Sequence, residues 1–495
     1  MARSTFLQTS FLGGEWSSYM QGRMERQDYR TAMNVCLNVV PVEEGSAPRR
    51  SGFRWIAPTR RSQRAVLRPF HFTQDSPYDM EFSDGHLRFF YRAALVLADS
   101  GTLVGEISTA TPAVIKTAAP TGIAQGDEVV FYQSDGTAST DVALMLNRVF
   151  YVDGAESGLT FPISDTTTLD GFDGSSVTLG GIALKASKVL DIATDYTDAR
   201  LDAIRIVQDG THALILHNEV APNVVTSSAA GTNASQFASF AYAAAVFVDG
   251  PYQDPPEDGN TITPSGLSGS ITATASIACF AVTDVGRCIR FLSEPLAYDA
   301  AHAYVAGDHV KFNGAYWTAL KASTNKQPNL DVLNWAIDPS GALWTWGYIT
   351  AYTSPTVVTV AIQPLVVDET DNIASGPLLY THAITVWRLG LYSDTTGYPS
   401  CGCYEEGRLW LAGATPNRFD AGVSNDFFNF APTGRDGSVA DNNAIAETFN
   451  SSDIQDILWM EPDDQGILCG TQASEWLIRA SSLNDPLTPT SIQAK

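Results

Sequence analysis

The sequence predicts an all-β protein: an irregular β-propeller body carrying two inserted small β modules and an extended N-terminal arm. Three observations lead there. Glycine and proline, 39 and 25 residues, are scattered along the 495-residue chain without a period, which suits a turn-rich β protein better than a helical one. A hairpin pattern stands at 401–412, where Cys-Gly-Cys-Tyr and Arg-Leu-Trp-Leu-Ala read as strands. Glu405, Glu406 and Gly407 supply its turn, glycine being the residue that tolerates positive φ. The same order of apolar strand, acidic glycine-containing turn and apolar strand returns at 80–95, 204–217 and 454–478. Repeated antiparallel pieces separated by differently composed segments are the mark of a propeller with insertions, although four hairpins of a β-sandwich would read alike.

The elements follow in order. Residues 1–68 form an arm rich in arginine, with Trp16, Tyr19, Tyr29, Phe53 and Trp55 spaced among polar residues; such a segment is ordered only by packing against another surface. Residues 69–108 begin the body, with Phe82, Leu87, Phe89 and Tyr91 alternating as a half-buried strand requires. Residues 109–182 turn rich in Thr, Gly and Asp, with short strands expected at 128–132, 148–152 and 159–162, the spacing of a small barrel or sandwich. The body resumes over 183–296, through a proline-rich loop from Asp249 to a strand pair expected across 280–292. Residues 297–340 form a second insertion, and 341–495 the third part of the body, opening on a long β-branched strand.

Charge narrows the function. Thirty basic and 54 acidic side chains give a net charge of −24, which argues against a general nucleic-acid-binding surface. Residues 1–70 hold 11 Arg against 5 acidic residues, so the arm is basic and the rest strongly acidic. Arg49, Arg50, Arg54, Arg60, Arg61, Arg64 and Arg68 are therefore candidate assembly contacts. The opening MARSTFLQTSF lacks a continuous apolar stretch, and no run of about 20 apolar residues could cross a bilayer. Assembly in a cytoplasm is the expectation.

Catalytic constellations are absent. There is no glycine-rich phosphate loop followed by lysine, and Gly266-Leu-Ser268-Gly-Ser270 fails the nucleophile-elbow pattern at its last position. His302 and His309 have no third ligand nearby, and His212 and His217 stand five apart, so no zinc site is expected. Asp165, Asp170 and Asp173 depart from calcium-loop spacing. Six dispersed cysteines do not make a disulfide scaffold. The chain is expected to be no enzyme and to hold no cofactor.

The run WRLG-x-x-SDTTG-x-P from Trp387, then RLW-x-AG from Arg408 and SN-x-FFNF from Ser424, resembles the tail nozzle family of short-tailed bacteriophages, also called tail tubular protein B. Further motifs stand in the family's order: LGGEWSSYMQGR from Leu12 with RRSGFRW from Arg49, then 78–92, 196–217, DGPY from Asp249, 283–290, and 474–493. The resemblance spans nearly the whole chain. It implies a structural virion protein of the tail, forming a ring, six-fold by that resemblance, that joins an adaptor or portal-side ring, meets tail fibre or needle proteins, and passes DNA without specific binding. Relatives continue past the last residue here, which raises the expectation of a truncated product or of strands supplied by a partner. An acidic lumen would repel the DNA backbone, so the turns at Glu405-Glu406, Asp463-Asp464 and Asp254 to Asp258 are expected to face channel or solvent.

Within 297–338, the order Tyr304, Gly307-Asp308, Val310, Asn313-Gly314, Tyr316-Trp317, Ala319, Pro328 and Trp335 resembles the type 3 chitin-binding module. Tyr304, Tyr316, Trp317 and Trp335 are thus candidate contacts to a host glycan if their rings are exposed, since aromatic faces stack on the apolar side of sugars. They are core if the rings are buried. A carbohydrate-binding adhesin is the alternative function.

Overall fold

The computed structural model describes residues 8–71, 77–135, 143, 145, 146, 148–179, 182–210, 212–227, 235–339, 341–364, 366, 367, 373–482 and 485–495. Among them the regular structure is almost wholly strand, joined by turns and irregular segments, with only short 3-10 helices between. The chain divides into two compact units, Met1–Ala57 and Pro58–Lys495.

The first unit has almost no core. Gly14–Glu15 pairs in parallel with Ala32–Met33, Trp16 meets Tyr29 edge-on at 6.3 Å, and Gly45 is the one buried residue among those described. Its boundary corrects the expected arm of 1–68. Residues 58–68 belong to the second unit, where Ala65–His71 is a full strand paired along its length with Pro77–Ser83.

In the second unit, Pro77–Ser83 and His86–Tyr91 form the first expected hairpin, closed by Asp84 and a positive-φ Gly85. Tyr78, Met80, Phe82, Leu87 and Phe89 all point into one core. Their strand pattern thus buries one sheet face against the next sheet, an antiparallel meander of Arg205–Asp209, His212–His217, Val220–Ser227 and Phe240–Ala244. Residue 211, in the turn of the second hairpin, lies outside the described residues. Two further four-stranded meanders follow. One runs Cys401–Glu405, Arg408–Ala412, Arg418–Ala421, Ile445–Thr448; the other Ile457–Asp463, Gly466–Thr471, Glu475–Ala480, Ile492–Ala494. The hairpin at 401–412 turns on Glu406 and Gly407, both at positive φ (47° and 67°), the combination a two-residue turn between twisted strands needs. Arg205–Asp209 lies against Cys401–Glu405, which in turn lies against Ile457–Asp463. The first strands of three successive meanders are therefore neighbours.

The first insertion is a closed six-stranded barrel of Thr102–Ile107, Ala113–Thr117, Glu128–Asp135, Val149–Val152, Thr160–Ser164 and Ala183–Lys188. It is filled by Ile115, Phe131, Phe150, Phe161 and Ile163, and it reaches beyond the 109–182 expected. The strand pair expected across 280–292 is one strand only: Val282–Asp284 is a 3-10 turn, and Cys288–Ser293 pairs instead with Leu343–Ser354 and Trp387–Leu389 in a six-stranded sheet. Asp284 explains this. Its carboxylate accepts the Ala281 N–H at 2.8 Å and binds Arg287, which closes a turn where an alternating pattern alone suggests a strand. The second insertion is a three-stranded sheet of His309–Phe312, Ala315–Ala319 and Trp335–Ile337 beside the pair Ala303–Tyr304 and Ser323–Thr324.

Candidate functional site

The seven arginines singled out in the arm separate into two groups. Arg60, Arg61, Arg64 and Arg68 each bond within the second unit, Arg61 and Arg64 while remaining exposed. Arg60 Nε meets Asp191 at 2.8 Å, Arg61 Nη2 donates to the Gly126 carbonyl at 2.9 Å, Arg64 Nη2 meets Asp202 at 2.6 Å, and Arg68 Nε donates to the Ile204 carbonyl at 3.2 Å. Arg49, Arg50 and Arg54 belong to the first unit and are exposed. Arg50 donates to Asn38 Oδ1 at 2.8 Å and lies 4.4 Å over the Phe53 ring.

Sequence reasoning missed what holds 58–62 in place. Arg88, fully buried, donates to Glu81, to Glu128 at the mouth of the barrel and to the Pro58 carbonyl. Burial works to lower the Arg88 pKa, but Glu128 and Glu81 outweigh it and hold the guanidinium above its ordinary value. The same carboxylates accept the backbone N–H groups of Arg60 and Arg61, each at 3.0 Å. One buried cation thus joins sheet, barrel and strap. The signal was present: Glu81 and Arg88 interrupt two apolar strands at opposed register positions.

In the second insertion, Trp335 is 1% exposed and Tyr304 6%, and they pack together with Tyr298 as the module's core. Trp335 Nε1 donates to the Lys326 carbonyl at 2.8 Å. Neither ring offers a stacking face to a glycan, so for these two residues the contact expectation is corrected. Trp317 is half-buried on the same core, and the Tyr316 hydroxyl donates to Glu294 at 3.0 Å, with burial first and then Glu294 pushing its pKa up to about 12. The large hydrophobic side chains the module does expose are aliphatic: Val305, Leu320, Leu330, Val332, Leu333 and Ile337.

Two of the acidic turns come together. Glu405, Glu406, Asp463, Asp464 and Asp485 line one cleft of about 80 Å³ at the ends of adjacent meanders, with Arg479 as its cation. Burial and then the neighbouring Glu406 raise the Glu405 pKa. Asp254 and Asp258 stand exposed on a separate loop. Among the described residues no group of three His, Cys, Asp or Glu side chains is placed to hold a metal ion.

Two neighbouring concavities with shared walls form a groove of two chambers. A polar chamber of about 860 Å³ is lined by Asp195, Arg200, Asn218, Glu219, Asp394 and Tyr398 among others. An apolar chamber of about 660 Å³, lined by Phe247, Val285, Tyr348, Ile349, Leu391 and Tyr392 among others, shares Ala221, Ala244 and Tyr398 with it. The polar walls are tied to one another: Tyr398 N–H donates to the Asn218 carbonyl at 3.1 Å, the Tyr398 hydroxyl to Asp394 at 2.9 Å, and Arg200 Nε to Glu219 at 3.2 Å. No protein-family model matches the chain, and no curated protein matches it.

Proposed function

We propose that the chain is a structural subunit of a phage tail nozzle, with its meanders as the blades of an irregular propeller and copies of the chain closing into a ring. The observation that carries this reading is the row of neighbouring first strands, Arg205–Asp209, Cys401–Glu405 and Ile457–Asp463, with the acidic turns of the last two gathered in one cleft. Blades of a propeller put their first strands side by side around an axis. Carboxylates clustered at such a rim repel a phosphate backbone and let it slide past, which suits a conduit and not a DNA-binding surface. The ordered motifs of the sequence support the same reading, and a closed ring needs a heterologous interface whose rotation closes. In this reading the ring sits in the virion tail, joined to an adaptor or portal-side ring and to fibre or needle proteins.

The adhesin alternative loses two of its four stacking residues to the module's core. Electron microscopy of the purified protein tests the proposal: closed rings are expected, and the rings should fail to retain duplex DNA at low salt, where electrostatic capture is strongest. Monomers at every concentration, or tight salt-sensitive DNA binding, would refute it.

A further inference from the structure

The groove beside Tyr398 has no part in the conduit reading, yet its two chambers differ in a way that specifies an occupant. The polar chamber carries Asp195, Glu219 and Asp394, and its one guanidinium, Arg200, is already spent on Glu219 and on the Asp195 carbonyl. What enters should bring positive charge. The apolar chamber has room for two large rings, and its lip carries Val246 and Val285, 64% and 48% exposed. What enters should bring aromatic or aliphatic side chains as well.

We propose that this groove receives residues 49–56 of a second copy of the chain, an inference that rests on the reading of the protein as a ring subunit. The segment reads Arg-Arg-Ser-Gly-Phe-Arg-Trp-Ile, three cations and three large apolar side chains with no carboxylate. Phe53 is 90% exposed and Trp55 69%, and residues 51–57 carry no regular structure; of the segment's side chains Arg50 is held by Asn38 and stacks on one face of Phe53, which leaves Trp55 and most of the Phe53 surface open. Arginine and tryptophan are the residues that most often anchor an interface when a pocket desolvates them. Charge favours a copy of this chain as the source. Residues 1–57 hold 7 basic and 5 acidic side chains, leaving 23 basic and 49 acidic for the rest, so the segment and the groove lie on parts of opposite sign. A nucleic acid suits the groove poorly, because the polar chamber's carboxylates oppose phosphate and the one guanidinium of the apolar chamber, Arg287, is buried and bound to Asp284 and the Gly390 carbonyl. The docked segment would set Phe53 and Trp55 against Phe247, Tyr348 and Leu391, with guanidinium groups reaching Asp394 and Asp195.

A photo-crosslinking experiment on the full chain tests this. Phe53→p-benzoylphenylalanine is prepared in ¹⁴N and ¹⁵N forms, mixed before assembly, irradiated and digested, while mass photometry scores ring formation in the same samples. Mixed-isotope crosslinks from the 49–56 peptide to peptides covering 244–251 or 390–398 are expected. Asp394→Lys with Glu219→Lys should cut their yield by about tenfold, as like charges meet across the contact. Rings whose crosslinks map elsewhere, pair only within one isotope, or keep their yield in the double variant overturn the docking site while leaving the ring intact. Monomers throughout overturn the ring reading and this one with it.

Discussion

Arg88 and Glu81 face each other across adjacent strands with neither exposed to solvent, one Nη2 donating to both carboxylate oxygens at 2.8 Å. With Glu128 on its other nitrogen, Arg88 neutralises two buried carboxylates that belong to different parts of the fold. Arg88→Met should therefore leave Glu81 and Glu128 uncompensated and destabilise the protein by about 3–5 kcal/mol. Adding Glu81→Gln and Glu128→Gln should restore part of the loss, because the desolvated charges go with the cation. The urea midpoint followed by tryptophan fluorescence reads both variants; no recovery in the triple variant would mean that packing, and not charge, sets the cost.

The second insertion separates its two tryptophans. Trp335→Ala removes a side chain buried to 1% exposure and should cost about 3–5 kcal/mol. Trp317→Ala, half-buried, should cost clearly less. Limited proteolysis within 297–340 is the readout, and equal resistance in the two variants would contradict the burial described.

Acid should weaken the meander of 205–244 through His217. Its Nδ1 accepts the Glu219 N–H at 3.0 Å, so the ring is held neutral. Burial lowers its pKa and the Arg200 charge pushes the same way, while Glu219 and a bond to the Arg200 backbone oppose both without reversing them. Unfolded, the imidazole takes up a proton near pH 6.5. Below that the unfolded state binds more protons than the folded one, so this contribution is complete above about pH 6.5 and declines as pH falls through the depressed folded value. Melting temperatures between pH 7.5 and 5 should drop more steeply for the parent than for His217→Gln; parallel slopes would exclude the residue.

Thiol chemistry should divide the six cysteines. Cys401 and Cys403 are buried, and burial pushes both thiols up to about 12; Cys469 in the same core is raised further and Cys288 also to about 12. A disulfide reagent at pH 8 should therefore modify Cys36 and Cys279 in the native protein and reach the other four only on unfolding. Rapid labelling of Cys403 would show that the sheets at 401–480 open in solution.

Local chemistry was legible wherever neighbours in sequence decide the structure. The turn at Glu406 and Gly407, the alternation from Phe82 to Tyr91 and three of the barrel's six strands follow from patterns a few residues long, because turn dihedrals and one-sided burial are local matters. Asp284 marks the limit. Its side chain closes a turn inside a stretch whose apolar pattern suggests a strand, and only its hydrogen bonds to Ala281 and Arg287 reveal that.

The candidate contacts show the same division. Sequence order alone brought out Tyr304 and Trp335, but whether a ring stacks on a ligand or fills a core depends on what covers it, and Tyr298 from outside the motif is one of the residues that do. The arginines from Arg49 to Arg68 look alike in sequence. Folding sorts them, since Asp191, Asp198 and Asp202 arrive from more than a hundred residues away to bind Arg60 and Arg64. The β class, the Glu406-Gly407 turn and the acidic bias were legible in the sequence, because they are sums or short-range patterns. Which charges pair inside the chain emerged only with the fold, because a buried ion pair is formed by residues that meet in space and leave no periodic trace along the chain.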